Sequence, residues 1–287
     1  MNAARLIGLA LQVSIVLLVF CVGLNAPAGD VRWLLRRPGL VARSLLAMNV
    51  ILPVIAASIA VLLRLPAATT LALIALAVSP VPPILPSKQI KAGGTASYAV
   101  GLLALSALLA VLFVPLDVNA LARLFGREVS VAPATVAGLV AQTVLVPLLL
   151  GMGLRFAAPA FAQHLSPPLS VGATVLMLAA FVPVVVVAWP KLMAQVGNFT
   201  LVAIVLLTVI GLAVGHALGG PDGGDRTVLA LSTATRHPGV AVAVARAGAP
   251  DDPSVVATVF LAFLVGMLVT VPYVKWRKRV PGGAVAA

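Results

Sequence analysis

Three basic side chains have the chemistry of an anion site, because they lie within or beside long apolar stretches: Lys88, Lys91 and Arg236. On insertion scales a cationic side chain at the bilayer centre costs about 2.5–3.5 kcal/mol, so three cost on the order of 9 kcal/mol. Residues this unfavourable normally persist in a membrane protein because they serve a site. Their positive charge predicts that the site takes an anion.

Hydroxyl groups and one imidazole accompany these cations and complete the predicted site. The predicted substrate-binding residues are Lys88, Lys91, Thr95, Ser97, Thr233, Arg236 and His237. Other readings stay open: the lysines can snorkel to an interface or lie in a loop, and Arg236 can clamp backbone carbonyls. The hydroxyls can bond their own helix, and the imidazole can carry a proton or only hydrogen-bond.

The acidic residues are few and are predicted to lie away from the cations. All seven fall in loops or at span ends on the hydropathy map: Asp30, Asp117, Glu128, Asp222, Asp225, Asp251 and Asp252. We therefore expect no buried carboxylate to pair with the three basic residues.

The composition is that of an integral membrane protein. Of the 287 residues 62% are hydrophobic and 9% are charged, whereas a soluble domain carries roughly 25% charged residues. A membrane-spanning helix needs about 20 apolar residues. Such stretches lie at about 6–26, 40–63, 67–86, 100–116, 131–154, 166–188, 198–219, 226–247 and 254–274. The sequence predicts an all-α polytopic fold with about nine transmembrane helices, the first retained rather than cleaved as a signal peptide.

Two stretches, 79–97 and 232–239, are poor continuous helices. The first holds four prolines before a Gly-Gly pair, and the second contains Pro238-Gly239. Non-helical backbone inside a membrane is tolerated only where protein or a water-filled cavity satisfies it, so two breaks predict an internal polar site. If one leading helix of an ancestral ten is absent, each break falls in the fourth span of a five-span half. A five-span repeat inserts in opposite orientations, which predicts an inverted repeat with two broken, crossing helices.

The net charge of +12 indicates membrane orientation and contact with anionic lipid, not a nucleic-acid partner. The C-terminal cluster from Lys275 to Arg279 predicts a cytoplasmic C-terminus, and the composition favours a bacterial inner membrane. No His-Glu-x-x-His motif, intramembrane aspartate pair or phosphate-binding loop is present in the sequence. We therefore expect no enzyme activity, metal or cofactor.

The sequence resembles the bile acid:sodium symporter family, a group of organic-anion carriers. The likeness rests on Val22-Gly23-Leu24, Leu34-Leu35-Arg36-Arg37-Pro38, Ile51-Leu52-Pro53, Gly93-Gly94-Thr95-Ala96-Ser97 and Pro238-Gly239. The resemblance implies nine or ten helices and alternating access between two domains. It implies a panel of residues 1–39 and 131–190, and a core of residues 40–130 and 191–287. It also implies that Gly93-Gly94 is the crossover of the first broken helix.

The resemblance further implies two sodium sites near the crossover, but the expected ligands have changed. Ser232 occupies the position where the family has an acid, and Arg236 the position of a Gln. His237 and Tyr98 each occupy the position of an Asn, whereas Ser97 is retained. The remaining candidate ion ligands are Ser97, Ser106, Ser232 and Thr235. Because a guanidinium repels sodium, Arg236 is interpreted as a fixed replacement for one bound ion, and sodium coupling stays open.

The function predicted is secondary transport of a small organic anion by alternating access, with sodium coupling left open. The alternatives are a channel or sensor on the same scaffold, an ordinary sodium symporter of the family, and an intramembrane enzyme. The sequence leaves the identity of the anion and the oligomeric state open.

Overall fold

Helices form every regular element in the part of the chain that the computed structural model describes, which is residues 3–26, 30–124, 132–196 and 198–279. The first seven are α1 (Ala3–Asn25), α2 (Asp30–Leu35), α3 (Pro38–Leu45), α4 (Leu52–Leu62), α5 (Ala67–Val78), α6 (Leu85–Lys91) and α7 (Ala96–Leu124). The others are α8 (Pro133–Val140), α9 (Val146–Ala157), α10 (Pro159–Met193), α11 (Thr200–Leu218), α12 (Gly223–Ala234), α13 (Pro238–Gly248) and α14 (Pro253–Arg279).

The helices of those ranges confirm the predicted all-α polytopic fold, and they can be grouped into nine candidate spans. Six are uninterrupted and long enough to cross a membrane: Pro38–Leu62, Ala96–Leu121, Pro133–Ala157, Pro159–Pro183, Thr200–Leu218 and Pro253–Arg279. Helix α1 contributes the shorter apolar stretch Leu9–Asn25. The pairs α5–α6 and α12–α13 form the two interrupted spans. The protein is therefore a multi-pass membrane protein.

The first break is shorter than the sequence predicts. Only residues 79–84 lie outside a helix before α6 begins, and Pro86 sits in the first turn of α6. Proline is tolerated there because the first N–H groups of a helix have no partner within it. The stretch from Ser87 to Lys91, predicted to be part of the break, is therefore helical.

The Gly-Gly pair also lies elsewhere than the family resemblance implies. Gly93 and Gly94 follow α6 and form the turn into α7. Gly93 has a φ of 85°, a left-handed conformation that glycine adopts without strain. The implied crossover at Gly93-Gly94 is wrong, because the prolines earlier in the segment already interrupt the helix.

Two groups of helices pack side by side and leave a space between them. Helix α1 packs mainly against α9 and α10, whereas α5 packs against α4, α13 and α14, and α11 packs against α12. The short helix α2 rests on α7. The division into panel residues 1–39 and 131–190 and core residues 40–130 and 191–287 stays a prediction.

A face of small residues joins α11 to α12. Gly211, Gly215 and Gly219 recur every four residues, and a Cβ added at Gly215 would lie 2.5 Å from the Leu229 carbonyl oxygen and 2.6 Å from the Ala230 Cα. Backbone atoms cannot yield as a flexible side chain does. The glycines therefore serve close helix packing, as small residues commonly do in membranes.

We expect Gly215→Ala to destabilise the protein by about 1–3 kcal/mol, because α11 and α12 must separate to admit the methyl group. Thermal unfolding of the purified protein measures the change. Gly172→Ala in α10 is the control, since nothing lies within 4 Å of a Cβ built there. Equal melting temperatures for the two variants would contradict the packing role.

Candidate functional site

The two interrupted spans meet at their breaks. The backbone N–H of His237 donates a hydrogen bond to the Pro80 carbonyl over 2.9 Å. The His237 Nδ1 atom accepts from the Gly239 and Val240 N–H groups at 3.1 and 3.4 Å, so the imidazole caps α13. The Ser106 hydroxyl accepts from the Val81 N–H at 3.4 Å. Protein groups thus satisfy much of the non-helical backbone at the crossing of the two spans.

Arg236 holds this crossing together through backbone carbonyls. Its Nε and Nη2 atoms donate to the Ala77 carbonyl at 3.2 and 2.6 Å, and Nη2 also donates to the Met48 carbonyl. Ala77 lies in the last turn of α5, where carbonyls lack helical partners and the helix dipole favours a cation. The side chain is only 4% exposed. The sequence left open the alternative that Arg236 binds backbone carbonyls, and this is the geometry observed.

The Met48 carbonyl is free for Arg236 because of a proline. Residues Leu46–Ile51 form a π-helical segment, and the Leu52 N–H donates to the Ala47 carbonyl five residues back. The next residue, Pro53, has no N–H to donate to Met48 in the same pattern. The buried Arg236 guanidinium therefore donates to a carbonyl that Pro53 leaves without a helical partner.

Gln89 makes a second polar link across the crossing. Its Nε2 atom donates to the Ser232 hydroxyl at 2.7 Å and to the Val228 carbonyl at 2.9 Å, and its side chain is fully buried. The amide joins α6 to α12. Sequence reasoning missed Gln89 because two lysines flank it, although a glutamine in so apolar a segment is itself a signal.

A cavity of about 670 Å³ lies beside the crossing, among α1, α6, α10 and α14. Three lysines line it, namely Lys88, Lys91 and Lys278. Within the described ranges no acidic residue is among the lining residues. Further polar groups come from Asn25, Ser87, Ser170, Thr174 and Thr235. The remaining wall consists of Cys21 and of aliphatic, proline and methionine side chains. A site of this size, mostly apolar with a few polar groups, suits a small organic molecule.

Lys88 is the innermost of the three lysines. Its side chain is half-buried, whereas Lys91 and Lys278 are exposed. The Lys88 ammonium donates to the Thr270 hydroxyl at 2.6 Å, and a hydroxyl does not neutralise its charge. An ammonium has three donors, so two remain for a ligand.

Comparison with known proteins decides the family. The model of the Sodium Bile acid symporter family matches residues 12–195, which is more than half of the chain. The chain belongs to the sodium bile acid symporter family. No curated protein matches the chain. Membership makes this a membrane transport protein, and the members of the family are transporters rather than enzymes.

The family match includes the first break and ends before the second. Residues 79–84 lie inside the matched segment, whereas α11 to α14 lie beyond it. Arg236 and Lys278 therefore lie outside the segment that matches the family, and their roles are inferred from their contacts in the structure.

The structure separates the predicted substrate-binding residues into groups. Lys88 and Lys91 line the cavity, whereas Arg236 and His237 lie at the crossing. Thr233 is buried and donates to the Leu229 carbonyl of its own helix at 2.8 Å. The other two lie apart from the cavity lining: Thr95 rests against Gly224, and Ser97 lies in the first turn of α7. Asn25 and Lys278 are cavity residues that the sequence did not single out.

The four candidate ion ligands of the family resemblance have different surroundings. Ser232 accepts from Gln89, and Ser106 supports the first break by accepting from the Val81 N–H. Thr235 lines the cavity, and Ser97 lies in the first turn of α7. Their role as ion ligands stays a prediction.

Two acidic residues bear on the expectation that all seven acids lie in loops or at span ends and that none is buried: Asp225 is buried, and Asp117 lies inside a helix. Asp225 is 5% exposed in the first turn of α12, and its carboxylate lies 3.6 Å from the Arg37 guanidinium. The positive end of the α12 dipole favours an acid there. Asp117 lies within α7, where its charge acts on Arg236 without a contact. Glu128 falls outside the described residues.

Proposed function

We propose that this member of the family carries a small organic anion by alternating access, and that it does so without bound sodium. The observation that carries the proposal is the cavity of about 670 Å³ with three lysines and no acid in its described lining. Uncompensated positive charge in a partly apolar space is complementary to a ligand with an anionic head and an apolar body. Lys88 is positioned to hold the head group deep in the cavity.

The surroundings of the cavity support a ligand of that shape. Lys88 and Lys91 are three positions apart on α6, a separation at which helical side chains are neighbours. Opposite them, α1 and α10 contribute apolar groups with Leu18, Val22 and Met177 among them. The lysines would bind a carboxylate or similar group, and the opposite wall would bind the hydrocarbon part.

Alternating access would follow from the position of the cavity between two packed groups of helices. The cavity is lined on one side by α1 and α10 and on the other by α6, α7 and α14. Sliding the first group against the second would close one mouth and open another. Lys91 and Lys278 mark the mouth at the end where the C-terminal basic cluster lies, and we place that end in the cytoplasm of a bacterial cell.

Sodium independence is supported by the donors that occupy the crossing. The Arg236 guanidinium is bound to the Ala77 and Met48 carbonyls, which are oxygen atoms of the kind that a cation would seek. The Gln89 amide donates to Ser232, where the family resemblance implies an acidic sodium ligand. Two unit charges about 4 Å apart repel by roughly 4 kcal/mol at an effective dielectric of 20. A sodium ion beside Arg236 would therefore be disfavoured.

We expect saturable anion counterflow in proteoliposomes at rates that agree within about twofold in sodium and in choline buffers, because Arg236 supplies a permanent positive charge. Radiolabelled candidate carboxylates, first selected by a thermal-shift screen, provide the measurement. A steep rise of the counterflow rate with sodium concentration would contradict a crossing without bound sodium. It would leave the proposal of an anion carrier in place. Flux without saturation or exchange would instead identify a channel, and absence of flux with binding retained would identify a sensor.

A further inference from the structure

We propose that a second, smaller cavity, lined in part by Arg236, binds a single halide ion, which in a cell is chloride. This cavity has a volume of about 40 Å³. A water molecule requires at least about 10–15 Å³ on the same measure, so the space admits a monatomic ion and is far smaller than the lysine cavity. The site adjoins the lysine cavity, because Thr235 lines both, but it takes a different class of ligand.

The charge of Arg236 is the first observation that favours an anion there. Arg236 lines the small cavity and is 4% exposed, and its Nη1 atom has no hydrogen-bond partner. In the described part of the chain no carboxylate lies within 4 Å of the Arg236 guanidinium. The ion pair that the described residues do form joins Arg37 to Asp225 instead. The carbonyls that bind Nε and Nη2 are neutral. A buried guanidinium is therefore left with an unused donor and no contacting counter-charge.

Thr235 provides a second unused donor at the same cavity. Its hydroxyl is buried without a hydrogen-bond partner, and the residue lines the small cavity next to Arg236. Thr208 also lines the cavity, but its hydroxyl donates to the Ile204 carbonyl at 2.8 Å. A buried polar group without a partner costs free energy. A halide would accept from both free donors.

The apolar part of the lining strengthens the case for a charged occupant. Leu52, Leu73, Leu76, Leu207 and Phe263 surround the polar groups. In such a low-dielectric setting the attraction between a guanidinium and an anion is much larger than in water. A water molecule would satisfy the donors but would bring no charge into contact with the guanidinium, on which Asp117 acts only from a distance.

The test uses the purified full-length protein in sodium-free solution, with choline chloride, bromide or gluconate at equal ionic strength. Chloride and bromide should raise the melting temperature by several degrees in a saturable manner, and gluconate should not. Thr235→Val, which removes one donor, should weaken the apparent halide affinity about tenfold. A melting temperature that is the same in all three salts would overturn the proposal.

Gly266→Ala provides a variant that should fold while blocking the site. Gly266 lines the cavity, and a Cβ there would lie 3.7 Å from the Thr208 hydroxyl oxygen, an ordinary contact. The added methyl should abolish the halide effect without lowering the melting temperature in gluconate. Gly153→Ala is the matched control, because nothing lies within 4 Å of its Cβ. Halide stabilisation that survives in Gly266→Ala would place the ion elsewhere and overturn the assignment.

Bromide also reports its position directly. Crystals grown in bromide should show an anomalous peak beside Arg236 and Thr235, whereas a peak only on the surface, or water in the cavity, would refute the site. The bromide crystals contain neither sodium nor an added organic anion, so a missing peak there leaves the proposed carrier function untouched.

Discussion

Lys88→Gln is expected to weaken binding of the organic anion by about 10- to 100-fold. Glutamine can still hydrogen-bond to the Thr270 hydroxyl, which now accepts from Lys88 at 2.6 Å, so the change removes chiefly the charge. A hydrogen bond to a charged group contributes about 1.5–3 kcal/mol, and 1.4 kcal/mol corresponds to a tenfold change. Thermal-shift titration and counterflow with the same anion measure the loss.

Lys275→Gln is the matched control for this prediction. Lys275 lies in the last turns of α14 near Lys278, but it is exposed and does not line the cavity. Both variants lose one positive charge, so a general effect of charge on the approach of an anion would appear in both. Equal losses of affinity in the two variants would show that Lys88 does not contact the ligand. Lys278→Gln, at the mouth, should cause a smaller loss than Lys88→Gln.

Arg236→Gln is expected to destabilise the protein by about 3 kcal/mol or more, with or without sodium. The substitution leaves the Ala77 and Met48 carbonyls without the donors that now bind them, and each unsatisfied buried carbonyl costs about 1–3 kcal/mol. Arg236→Lys should be intermediate, since an ammonium keeps the charge but lacks the planar fork of the guanidinium. Thermal unfolding in choline and sodium buffers provides the measurement.

Arg246→Gln is the control for this prediction. It distinguishes loss of the hydrogen bonds at the crossing from loss of an arginine elsewhere, on α13. Arg246 lies in the last turn of that helix and is exposed. An exposed substitution of this kind normally changes stability by less than about 0.5 kcal/mol. A similarly small change in Arg236→Gln would contradict the role of Arg236 in holding the crossing together.

The spans and their breaks were predictable because both depend on local sequence. Twenty apolar residues suffice to mark a span, and Pro80, Pro82 and Pro83 prevent a regular helix wherever they occur. The extent of the first break was not predictable in the same way. Proline is compatible with the first turn of a helix, so Pro86 alone does not reveal whether a segment ends or begins there.

The site was only partly predictable because its contacts join distant parts of the chain. Lys88 and Lys91 were found because charge in an apolar stretch is visible in the sequence. The partner of Arg236 at Met48 is 188 positions away and depends on the carbonyl that Pro53 leaves free. The pairing of Asp225 with Arg37 likewise requires the fold. No local pattern distinguishes an arginine that binds substrate from one that binds carbonyls.

The hydrogen bond between the His237 N–H and the Pro80 carbonyl has a consequence for divergence within this family. Main-chain atoms make it, so point substitutions at most neighbouring positions leave both of its partners in place. Ion preference can then drift through changes at single side chains while the two interrupted spans stay joined. A descendant could thus exchange an external ion for an internal guanidinium in a few mutational steps, each passing through a protein that still inserts and folds.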